Sequence, residues 1–351
     1  LDIFLMFWVL AAFGCLVIDR DWARERLAEA MEVRLPDDAG PRLGMRWWRL
    51  LAGVCLGLAC ASKWNGIWYV PAFAAMSVAW DIGARRAAGL SRWLYGGLVR
   101  DGRWVLASLG VVPAVTYVAA WSDWLFSKTG YDRNWAELHG IHTPVISALV
   151  SLYQYNKAIL HFDSTLTSHH PYQSQPWSWM VLSRPVSFYY VPYKFGQGGC
   201  QVKSCSQEVL AIGTPMIWWV SIATLVICIA WWLTQRDWRA GAVWVSFVAG
   251  WFVWFPDAKR TKFLFYMAPL VPFLIIAVTL ALGVMLGPAL RRPGDVLRDR
   301  ASLRRRQWGI AGVAVYLGLV VVDFAWMWPI FTGGLLTYDT WHAHMWLPSW
   351  V

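Results

Sequence analysis

Two groups of basic side chains interrupt apolar stretches of this sequence, and both could bind an anion. Lys63 lies near the middle of AGVCLGLACASKWNGIWYVPAFAAM, residues 52–76. The second group lies in FPDAKRTKFLFY and comprises Lys259, Arg260 and Lys262, with the acidic Asp257 beside them. Basic groups that converge on one side of a membrane can hold the phosphate or pyrophosphate of a lipid. A lysine at a membrane boundary can equally extend its ammonium toward lipid phosphate with no further function, so the chemistry depends on where each group lies.

The composition indicates which elements position these groups. Among 351 residues, 58% are hydrophobic, 15% are charged and 28 are tryptophan, with a mean hydropathy of +0.41. These values exclude a water-soluble domain and are typical of a polytopic membrane protein. Eight apolar segments are present, several of them near the roughly 20 residues that a bilayer-spanning helix needs. They cover residues 1–18, 47–61, 66–80, 104–121, 211–233, 240–255, 263–287 and 308–331.

The second and third apolar segments are short and could form either two spans or one bent element. Asn65 and Gly66 are a strong turn pair, and a single helix through both segments would exceed the hydrocarbon thickness. We therefore predict two spans joined by a tight turn at SKWNG, with Lys63 in that turn.

The distribution of basic residues orients the spans. If each segment crosses once, twenty lysines and arginines fall in the loops 19–46, 81–103, 234–239 and 288–307, and ten fall on the other side. Because basic residues favour cytoplasmic loops, Lys63, the second basic group and the C-terminus are predicted on the outer side. The net charge of +10 then reflects solvated arginines of the cytoplasmic face rather than a nucleic-acid surface.

The longest segment outside the membrane covers residues 122–210, on the outer side. Three regions are predicted: four spans in 1–121, the loop in 122–210, and four spans with an outer tail in 211–351. Within the loop, the apolar spacing over residues 144–162 predicts a helix. This helix could lie along the membrane surface as an amphipathic element or pack against the rest of the loop.

Cys200 and Cys205 lie close together in the outer segment GGCQVKSCS. An outer location is oxidising, and the short spacing favours a disulfide between them. Zinc binding is the alternative, but no second Cys or His pair with ligand spacing accompanies these cysteines. No metal site is predicted.

Several segments taken together resemble the bacterial, actinobacterial-type protein O-mannosyltransferases. In chain order they are LDIFLMFW, GLACASKWNGIW, HPYQSQPWSWMVLSRPVSFYY, IGTPMIWW, RTKFLFYMAPLVPFL and YDTWHAHMWLPSW, and the resemblance covers essentially the whole chain. It implies an all-α polytopic membrane protein with a GT-C type helical transmembrane domain and a large extracytoplasmic loop. The implied activity is transfer of mannose from polyprenyl-phosphate mannose to Ser or Thr hydroxyls of translocated proteins, with inversion, at the outer face of the cell membrane.

The resemblance also implies what lies outside this sequence. The family's acidic catalytic residue belongs to an Asp-Glu pair in the first outer loop, upstream of Leu1, so we expect an N-terminally truncated fragment that is inactive alone. The donor is a substrate, and no cofactor is implied. The implied partners are the membrane lipid donor and secreted or membrane polypeptide acceptors, with the protein translocation machinery as a further candidate and no nucleic acid.

The positions that match the family's motifs give the candidate site. Lys63 and Arg260 are the expected donor-phosphate cations, with Lys262 as a further candidate. The residues expected to contact sugar or acceptor are Asp2, His170, Tyr172, Gln173 and Trp177. Tryptophan would stack on a sugar ring, and the others would form hydrogen bonds. Asp2 could orient a cation or a sugar hydroxyl, or be a helix N-terminal acid that interacts favourably with the helix dipole.

Two further features of the last span and tail carry open interpretations. Asp323 lies inside the last span and is either a partnered structural acid or a catalytic one. Trp341, Trp346 and Trp350 in the tail are interpreted as anchors in the headgroup region.

Two other functions fit parts of the sequence. A transporter would also have many spans and intramembrane charges, but an aromatic-rich outer loop and cations gathered at one face favour chemistry at the membrane surface. A lipid-linked-sugar glycosyltransferase with a glycan or lipid acceptor would capture the donor phosphate in the same way. Only the resemblance favours a protein acceptor.

Overall fold

The computed structural model describes residues 1–33, 37–256, 259–287 and 300–351. Two predicted features lie outside the described residues: Asp257, beside the second basic group, and residues 288–299 of the last predicted cytoplasmic loop. The described chain forms two compact units. The first comprises Leu1–Ser168 and Phe252–Thr261, and the second comprises His169–Trp251 and Lys262–Val351.

The first unit is built from helices that follow the predicted apolar segments. They are α1 (Asp2–Val33), α2 (Trp47–Ser62), α3 (Tyr69–Ala87), α4 (Trp93–Ala120) and α5 (Pro144–Thr165), with short helices at Ser122–Phe126 and Trp135–Leu138 and 3₁₀ helices at Trp64–Trp68 and Phe252–Trp254. α1 extends past its apolar segment because DRDWARERLAEAMEV is rich in alanine, leucine, glutamate and arginine, which favour a helix. α4 is continuous but contains π-helical turns at Gly96–Asp101 and Ala107–Val111.

Six helices among the described residues are long and apolar enough to cross a membrane. They are Asp2–Glu32, Trp64–Ala87, Trp93–Ala120, Pro215–Gln235, Leu264–Leu286 and Leu303–Thr332. The two remaining predicted segments are also helical but shorter, with 16 residues in Trp47–Ser62 and 14 in Trp238–Trp251. The predicted helical, polytopic fold class is confirmed.

The second and third apolar segments form two helices joined by a tight turn, as predicted. α2 ends at Ser62, Lys63 is extended, and the 3₁₀ helix Trp64–Trp68 leads into α3. The Lys63 backbone N–H donates to Ala59 O at 3.0 Å, and the Gly66 N–H donates to Lys63 O at 2.9 Å. A Cβ at Gly66 would lie 2.7 Å from the backbone carbon of Ala59, so glycine is needed for the turn to contact α2 this closely.

Two arginines at the start of α2 are buried, which corrects the prediction of a solvated cytoplasmic face. Arg46 donates to Asp19 at 2.5 Å and to Asp81 at 2.7 Å. Arg49 donates to the same two carboxylates at 3.2 Å and 2.5 Å. Asp19 belongs to α1 and Asp81 to α3, so this buried network joins three helices. The arginines tolerate burial because each guanidinium has two carboxylate partners.

A third buried arginine joins α3 to α4 and to the segment before α2. Arg85 donates to both carboxylate oxygens of Asp101, at 2.7 Å and 3.0 Å. It also donates to the carbonyl oxygens of Ala39 and Pro41, at 2.6 Å and 3.0 Å. Other arginines at this end of the helices, such as Arg86, are exposed as predicted.

The predicted loop helix is present as α5. Its buried face consists of Ser147, Ala148, Ser151 and Leu152. Its exposed apolar residues include Ile146, Leu149, Tyr153 and Leu160. The Ser151 hydroxyl accepts a hydrogen bond from the Ala136 N–H at 3.1 Å within the buried contact. The helix therefore packs against the rest of the loop through small residues and directs an apolar face outward.

The second unit combines long helices with a small sheet. Its helices are α6 (Pro215–Gln235), α7 (Trp238–Trp251), α8 (Val271–Leu286) and α9 (Arg300–Thr332), with short helices at Pro176–Trp179 and Tyr338–Ala343 and 3₁₀ helices at Leu264–Leu270 and Pro348–Trp350. The strands are β1 (Val186–Lys194), β2 (Ser204–Ala211) and β3 (Leu335–Thr337), in the order β1-β2-β3 with antiparallel neighbours. These strands were not among the predicted elements.

Two tryptophans of the C-terminal tail are core residues, which corrects their interpretation as headgroup anchors. Trp341 is buried and donates from Nε1 to Glu208 Oε2 at 2.6 Å. Trp350 is buried and donates from Nε1 to Leu182 O at 2.6 Å. These indoles are inside the protein because each N–H has an acceptor there, whereas Trp346 is exposed.

Candidate functional site

Lys63 forms an ion pair with Asp2, the first residue of α1. Its Nζ lies 2.6 Å from Asp2 Oδ1, and the two side chains are 22% and 21% exposed. Asp2 was expected to contact sugar or acceptor, or to orient a cation, and its observed partner is the cation. The ammonium is oriented by a carboxylate while it remains partly accessible.

Arg260, in the first unit, stacks on a tryptophan and precedes a residue that bonds to the chain leaving α5. Its guanidinium carbon lies 5.5 Å from the centroid of the Trp254 ring, a cation–π contact. The next residue, Thr261, donates from its backbone N–H to Leu166 O at 3.2 Å and from its hydroxyl to Ser168 O. These bonds hold the Arg260 segment against the chain that leaves α5.

The helix α5 lies near the residues that follow Lys63 and Arg260 in the first unit. Asn156 of α5 lines one cavity together with Trp64, the residue after Lys63. From Asn156 to the end of α5 at Thr165 is nine residues, or about 14 Å. The residue after Lys63 and the residue after Arg260 therefore adjoin α5 and the chain that leaves it at points about 14 Å apart along this helix.

An apolar cavity of about 550 Å³ adjoins the Lys63 turn. Its walls come from the turn and from α2, α3, α4 and α5, and include Ile67, Tyr117 and Tyr153. Tyr117 OH donates to Asn156 Oδ1 at 2.5 Å, which ties α4 to α5 at the wall. The size and the apolar walls suit a hydrocarbon chain.

The segment HPYQSQPWSW lies in the second unit and carries the other expected sugar or acceptor residues. His170, Gln173 and Trp177 are exposed, and Tyr172 is half-buried. His170 Nδ1 accepts from the Tyr172 backbone N–H at 3.2 Å, and His170 O accepts from the Gln173 N–H at 2.9 Å. A turn thus brings these three residues together, while Trp177 lies on the short helix Pro176–Trp179 that follows.

Buried tryptophans hold this segment in place. Trp179 is fully buried and donates from Nε1 to Ser174 Oγ at 2.9 Å. Trp218 of α6 donates to Trp179 O at 3.0 Å, and Trp251 of α7 donates to Pro176 O at 3.0 Å. The segment that carries the exposed polar residues is therefore hydrogen-bonded to α6 and α7.

Arg184 is a basic residue that the predicted site did not include. Its guanidinium carbon lies 5.2 Å from the Tyr172 ring centroid, and its Nε donates to Pro171 O at 3.2 Å. Its Nη1 donates to the carbonyl oxygens of Ser349 and Val351. Arg184 thus connects the HPYQSQPWSW segment to the C-terminal tail. Arg184 lies in HPYQSQPWSWMVLSRPVSFYY, the motif that also contains the predicted contact residues, and this position could have identified it from the sequence.

Lys262 is buried, unlike the other two candidate cations. It is 1% exposed, and its backbone carbonyl accepts from the Ser174 N–H at 2.9 Å. The structure therefore places Lys262 inside the protein and not at a surface that a lipid phosphate can reach.

Asp323, for which a structural and a catalytic role were both predicted, has one hydrogen-bonded carboxylate oxygen, and its buried Oδ1 has no hydrogen-bond partner among the described residues. Its Oδ2 accepts from the Met216 N–H at 2.9 Å, at the start of α6. The buried carboxylate caps the first turn of that helix, where negative charge is favourable.

Cys200 and Cys205 form a disulfide, with a Cα–Cα distance of 5.8 Å. Cys205 lies in β2, opposite Tyr193 of β1 and Thr337 of β3, so the bridge closes the turn between β1 and β2. Within the described ranges, no group of three or more His, Cys, Asp or Glu side chains is arranged to hold a metal ion.

Comparison with known proteins identifies relatives along the whole chain. Over its full length, the chain is 39% identical to the polyprenol-phosphate-mannose–protein mannosyltransferase of Mycobacterium tuberculosis and 32% identical to that of Corynebacterium glutamicum. It spans 66% and 67% of the lengths of these relatives. A solved structure of the S. cerevisiae protein O-mannosyltransferase Pmt1-Pmt2 complex bound to the sugar donor is 22% identical, with a TM-score of 0.44 over 60% of this chain and 28% of that chain.

A family match covers more than half of the chain. Residues 148–350 match the C-terminal four TMM region of protein-O-mannosyltransferase. This region contains the HPYQSQPWSW segment, Arg260 and the C-terminal tail, whereas the full-length relatives extend the similarity to Asp2 and Lys63. The chain therefore belongs to the protein O-mannosyltransferase family.

Proposed function

We propose that this chain is part of an enzyme that transfers mannose from polyprenyl-phosphate mannose to Ser or Thr hydroxyls of polypeptides, with inversion, on the extracytoplasmic face of the cell membrane. Family membership supports the reaction class, because the relatives' names include both a lipid-linked mannose and a protein acceptor. The observation that carries the site is the partly exposed Lys63–Asp2 ion pair, which adjoins the turn that lines the apolar cavity. The activity is proposed for the whole protein, since the chain spans 66% of its M. tuberculosis relative.

The phosphate of the lipid is the leaving group in this reaction. When the acceptor oxygen attacks the anomeric carbon, the bond from that carbon to the phosphate oxygen breaks, and negative charge grows on the phosphate. Lys63 and Arg260 would stabilise this charge, because cations fixed in advance bind the more highly charged transition state best. Attack from the face opposite the phosphate inverts the anomeric centre.

The acceptor hydroxyl needs a base that takes its proton during the attack. Asp2 is not assigned this role, because its carboxylate already accepts from the Lys63 ammonium at 2.6 Å. We assign the base to the Asp-Glu pair that the family resemblance places upstream. Proton transfer would then require the complete protein.

The lipid and the acceptor would contact different parts of the chain. The polyprenyl chain would occupy the apolar cavity beside the Lys63 turn, between α3, α4 and α5. The exposed His170, Gln173 and Trp177, with Tyr172, would contact the sugar or the peptide through hydrogen bonds and stacking. The Cys200–Cys205 disulfide supports an oxidising, extracytoplasmic location for the loop. The acceptors would be secreted or membrane polypeptides, and the translocation machinery that delivers them would be a further partner.

The test uses membranes that contain the complete protein and a polyprenyl-phosphate donor with labelled mannose. Wild type is expected to label a secreted Ser/Thr/Pro-rich peptide. Lys63→Ala or Arg260→Ala is expected to lower donor use by about a hundredfold, because each removes a cation from the developing charge. Lys128→Ala, an exposed lysine of the same unit, is the matched control and should retain activity.

Three outcomes would count against this proposal. Unchanged activity in both the Lys63 and the Arg260 variant, with normal membrane insertion, would remove these residues from the site. Labelled glycan together with unlabelled peptide would exclude the protein acceptor. Movement of the donor across the bilayer without mannose transfer would favour a transporter.

A further inference from the structure

A second cavity lies at the opposite end of α2 from Lys63, and we name it the arginine cavity. It has a volume of about 540 Å³, and its basic wall is formed by Arg42, Arg46, Arg49, Arg100 and Arg103. Fourteen residues separate Arg49 from Lys63, so the two ends of α2 are about 21 Å apart. The arginine cavity is therefore separate from the donor site proposed above.

Arg49 supplies a buried donor that lacks an acceptor. The residue is 1% exposed, and its Nε and Nη2 donate to Asp19 and Asp81 of the buried network. Among the residues that the structure describes, Nη1 of the same guanidinium has no hydrogen-bond partner. A buried N–H without an acceptor is unfavourable, so negative charge bound next to this guanidinium would be favourable.

The arginine cavity also carries more positive than negative charge. In the buried network, two arginines and two aspartates balance in charge. Arg100 pairs with Asp37, and the hydrogen bond from its guanidinium lowers the pKa of Asp37. Asp101, which also lines the wall, pairs with the buried arginine of α3. Arg42 and Arg103 are exposed, and in the described part of the chain neither has a carboxylate within 4.0 Å. Two guanidinium groups at the mouth thus remain available for an anion.

The rest of the wall indicates a ligand with an apolar part. Leu50 of α2 and Val112 of α4 contribute apolar surface next to the arginines. Trp47, Trp48 and Trp104 are exposed beside the same residues. Tryptophan prefers the headgroup region of a bilayer, so this end of α2 and α4 is expected at the level of lipid phosphates.

We propose that the arginine cavity binds an anionic phospholipid of the cytoplasmic leaflet. Its phosphate would lie between Arg42 and Arg103, next to the buried network, and an acyl chain would follow the apolar wall. Phosphate oxygens match guanidinium groups in charge and geometry, and anionic lipids are concentrated in that leaflet. Because Arg42 precedes α2 and Arg103 lies in α4, the lipid would join these two helices.

Lipid binding to the purified protein in neutral detergent tests this proposal, with native mass spectrometry as the readout. Phosphatidylglycerol, phosphatidylcholine and inorganic phosphate are the three probes. One phosphatidylglycerol per chain is expected, with at least about tenfold weaker binding of the other two probes. The double substitution Arg42→Gln and Arg103→Gln is expected to weaken phosphatidylglycerol binding by about thirtyfold, because two charges next to the phosphate are lost.

A matched control separates a defined site from the effect of net charge. The double substitution Arg86→Gln and Arg92→Gln removes the same charge from exposed arginines that do not line the cavity. Arg86 also stacks on a tryptophan at 5.5 Å, as Arg103 does at 5.6 Å. This control should bind phosphatidylglycerol as wild type does. Both double variants should have unfolding temperatures close to that of wild type.

Each contrary result would overturn a defined part of the proposal. Wild-type affinity in the Arg42 and Arg103 variant, or an equal loss in the control, would exclude the arginine cavity as the site. Equal affinity for phosphatidylcholine would exclude recognition of net negative charge. Equal affinity for inorganic phosphate would exclude a lipid as the ligand.

Discussion

Ion pairs between basic side chains and aspartates occur at both ends of α2, and the two sets differ in how deeply their side chains are buried. The buried network comprises Arg46, Arg49, Asp19 and Asp81, all of them enclosed by α1, α2 and α3. At the other end, Lys63 and Asp2 form a pair in which each side chain is about one-fifth exposed. The same kind of bond therefore lies in the core at one end of α2 and at a partly exposed turn at the other end.

The difference in burial separates structural charge from charge that a substrate can reach. In the buried network, each guanidinium contacts both carboxylates, so the loss of one carboxylate leaves two guanidinium groups with a single carboxylate in a poorly solvated place. In the Lys63–Asp2 pair, both side chains are partly exposed, so a phosphate can approach the ammonium and the pair is expected to contribute little to stability. The first set is expected to determine stability and the second to determine activity.

The largest expected effect comes from the buried network. Asp81→Asn keeps the shape of the side chain but removes a charge that both Arg46 and Arg49 contact. We expect a loss of about 3–5 kcal/mol in the free energy of unfolding, since two buried guanidinium groups would then share one carboxylate. Thermal or denaturant unfolding of the purified protein in detergent measures this loss.

An exposed ion pair of α1 provides the control for that measurement. Arg26 lies 3.3 Å from Glu29, and both side chains are exposed. Glu29→Gln should change the free energy of unfolding by less than about 1 kcal/mol. Equal small losses in the Asp81 and Glu29 variants would show that the buried network is solvated, and the contrast drawn above would be wrong.

The helices and the turn at Lys63 could be predicted from the sequence because their signals are local. Apolar length identifies a span, and a pair such as Asn65-Gly66 identifies a turn within a few residues. The buried network has no local signal, because the residues that Arg46 pairs with are 27 and 35 positions away. Arginines in a short loop resemble a solvated face until the partners on other helices are known.

The small sheet was missed for a related reason. β1 is rich in aromatic and β-branched residues, which favour strands, but it lies inside a long loop and contains Pro192. Proline is tolerated there because β1 is at the edge of the sheet. The third strand comes from the C-terminal tail, and a pairing between Cys205 and Thr337 has no signal in either segment alone.

A substitution in the turn sharpens the comparison by moving Lys63 without removing it. In Gly66→Ala, the new Cβ would lie 2.7 Å from backbone atoms of Ala59 and Cys60, so the turn must shift away from α2. We expect a loss of about 1–3 kcal/mol in the free energy of unfolding and reduced mannose transfer by the complete protein. Unfolding and peptide labelling should be measured on the same preparation.

Gly83→Ala is the matched control, since a Cβ at Gly83 in α3 meets nothing within 4 Å. This substitution should stabilise the helix by up to about 1 kcal/mol, because alanine has a higher helix propensity than glycine. Similar changes in both variants would mean that contact between the turn and α2 does not determine the position of Lys63.

The smallest effect on stability, and the most informative for activity, is expected at Asp2. Asp2→Asn removes the charge that orients the Lys63 ammonium, in a pair whose side chains are both partly exposed. The free energy of unfolding should change by less than about 1 kcal/mol, because partly exposed pairs contribute little to it. As a positioning residue for the Lys63 ammonium, Asp2 should affect mainly the kcat of mannose transfer, with a smaller change in the KM for the polyprenyl-phosphate donor, and Asp2→Glu should restore part of the loss. If Asp2→Asn instead destabilised the protein as much as Asp81→Asn, the Lys63 pair would be a structural element like the buried network. The ammonium would then be committed to the fold and not free to exchange its carboxylate for a phosphate.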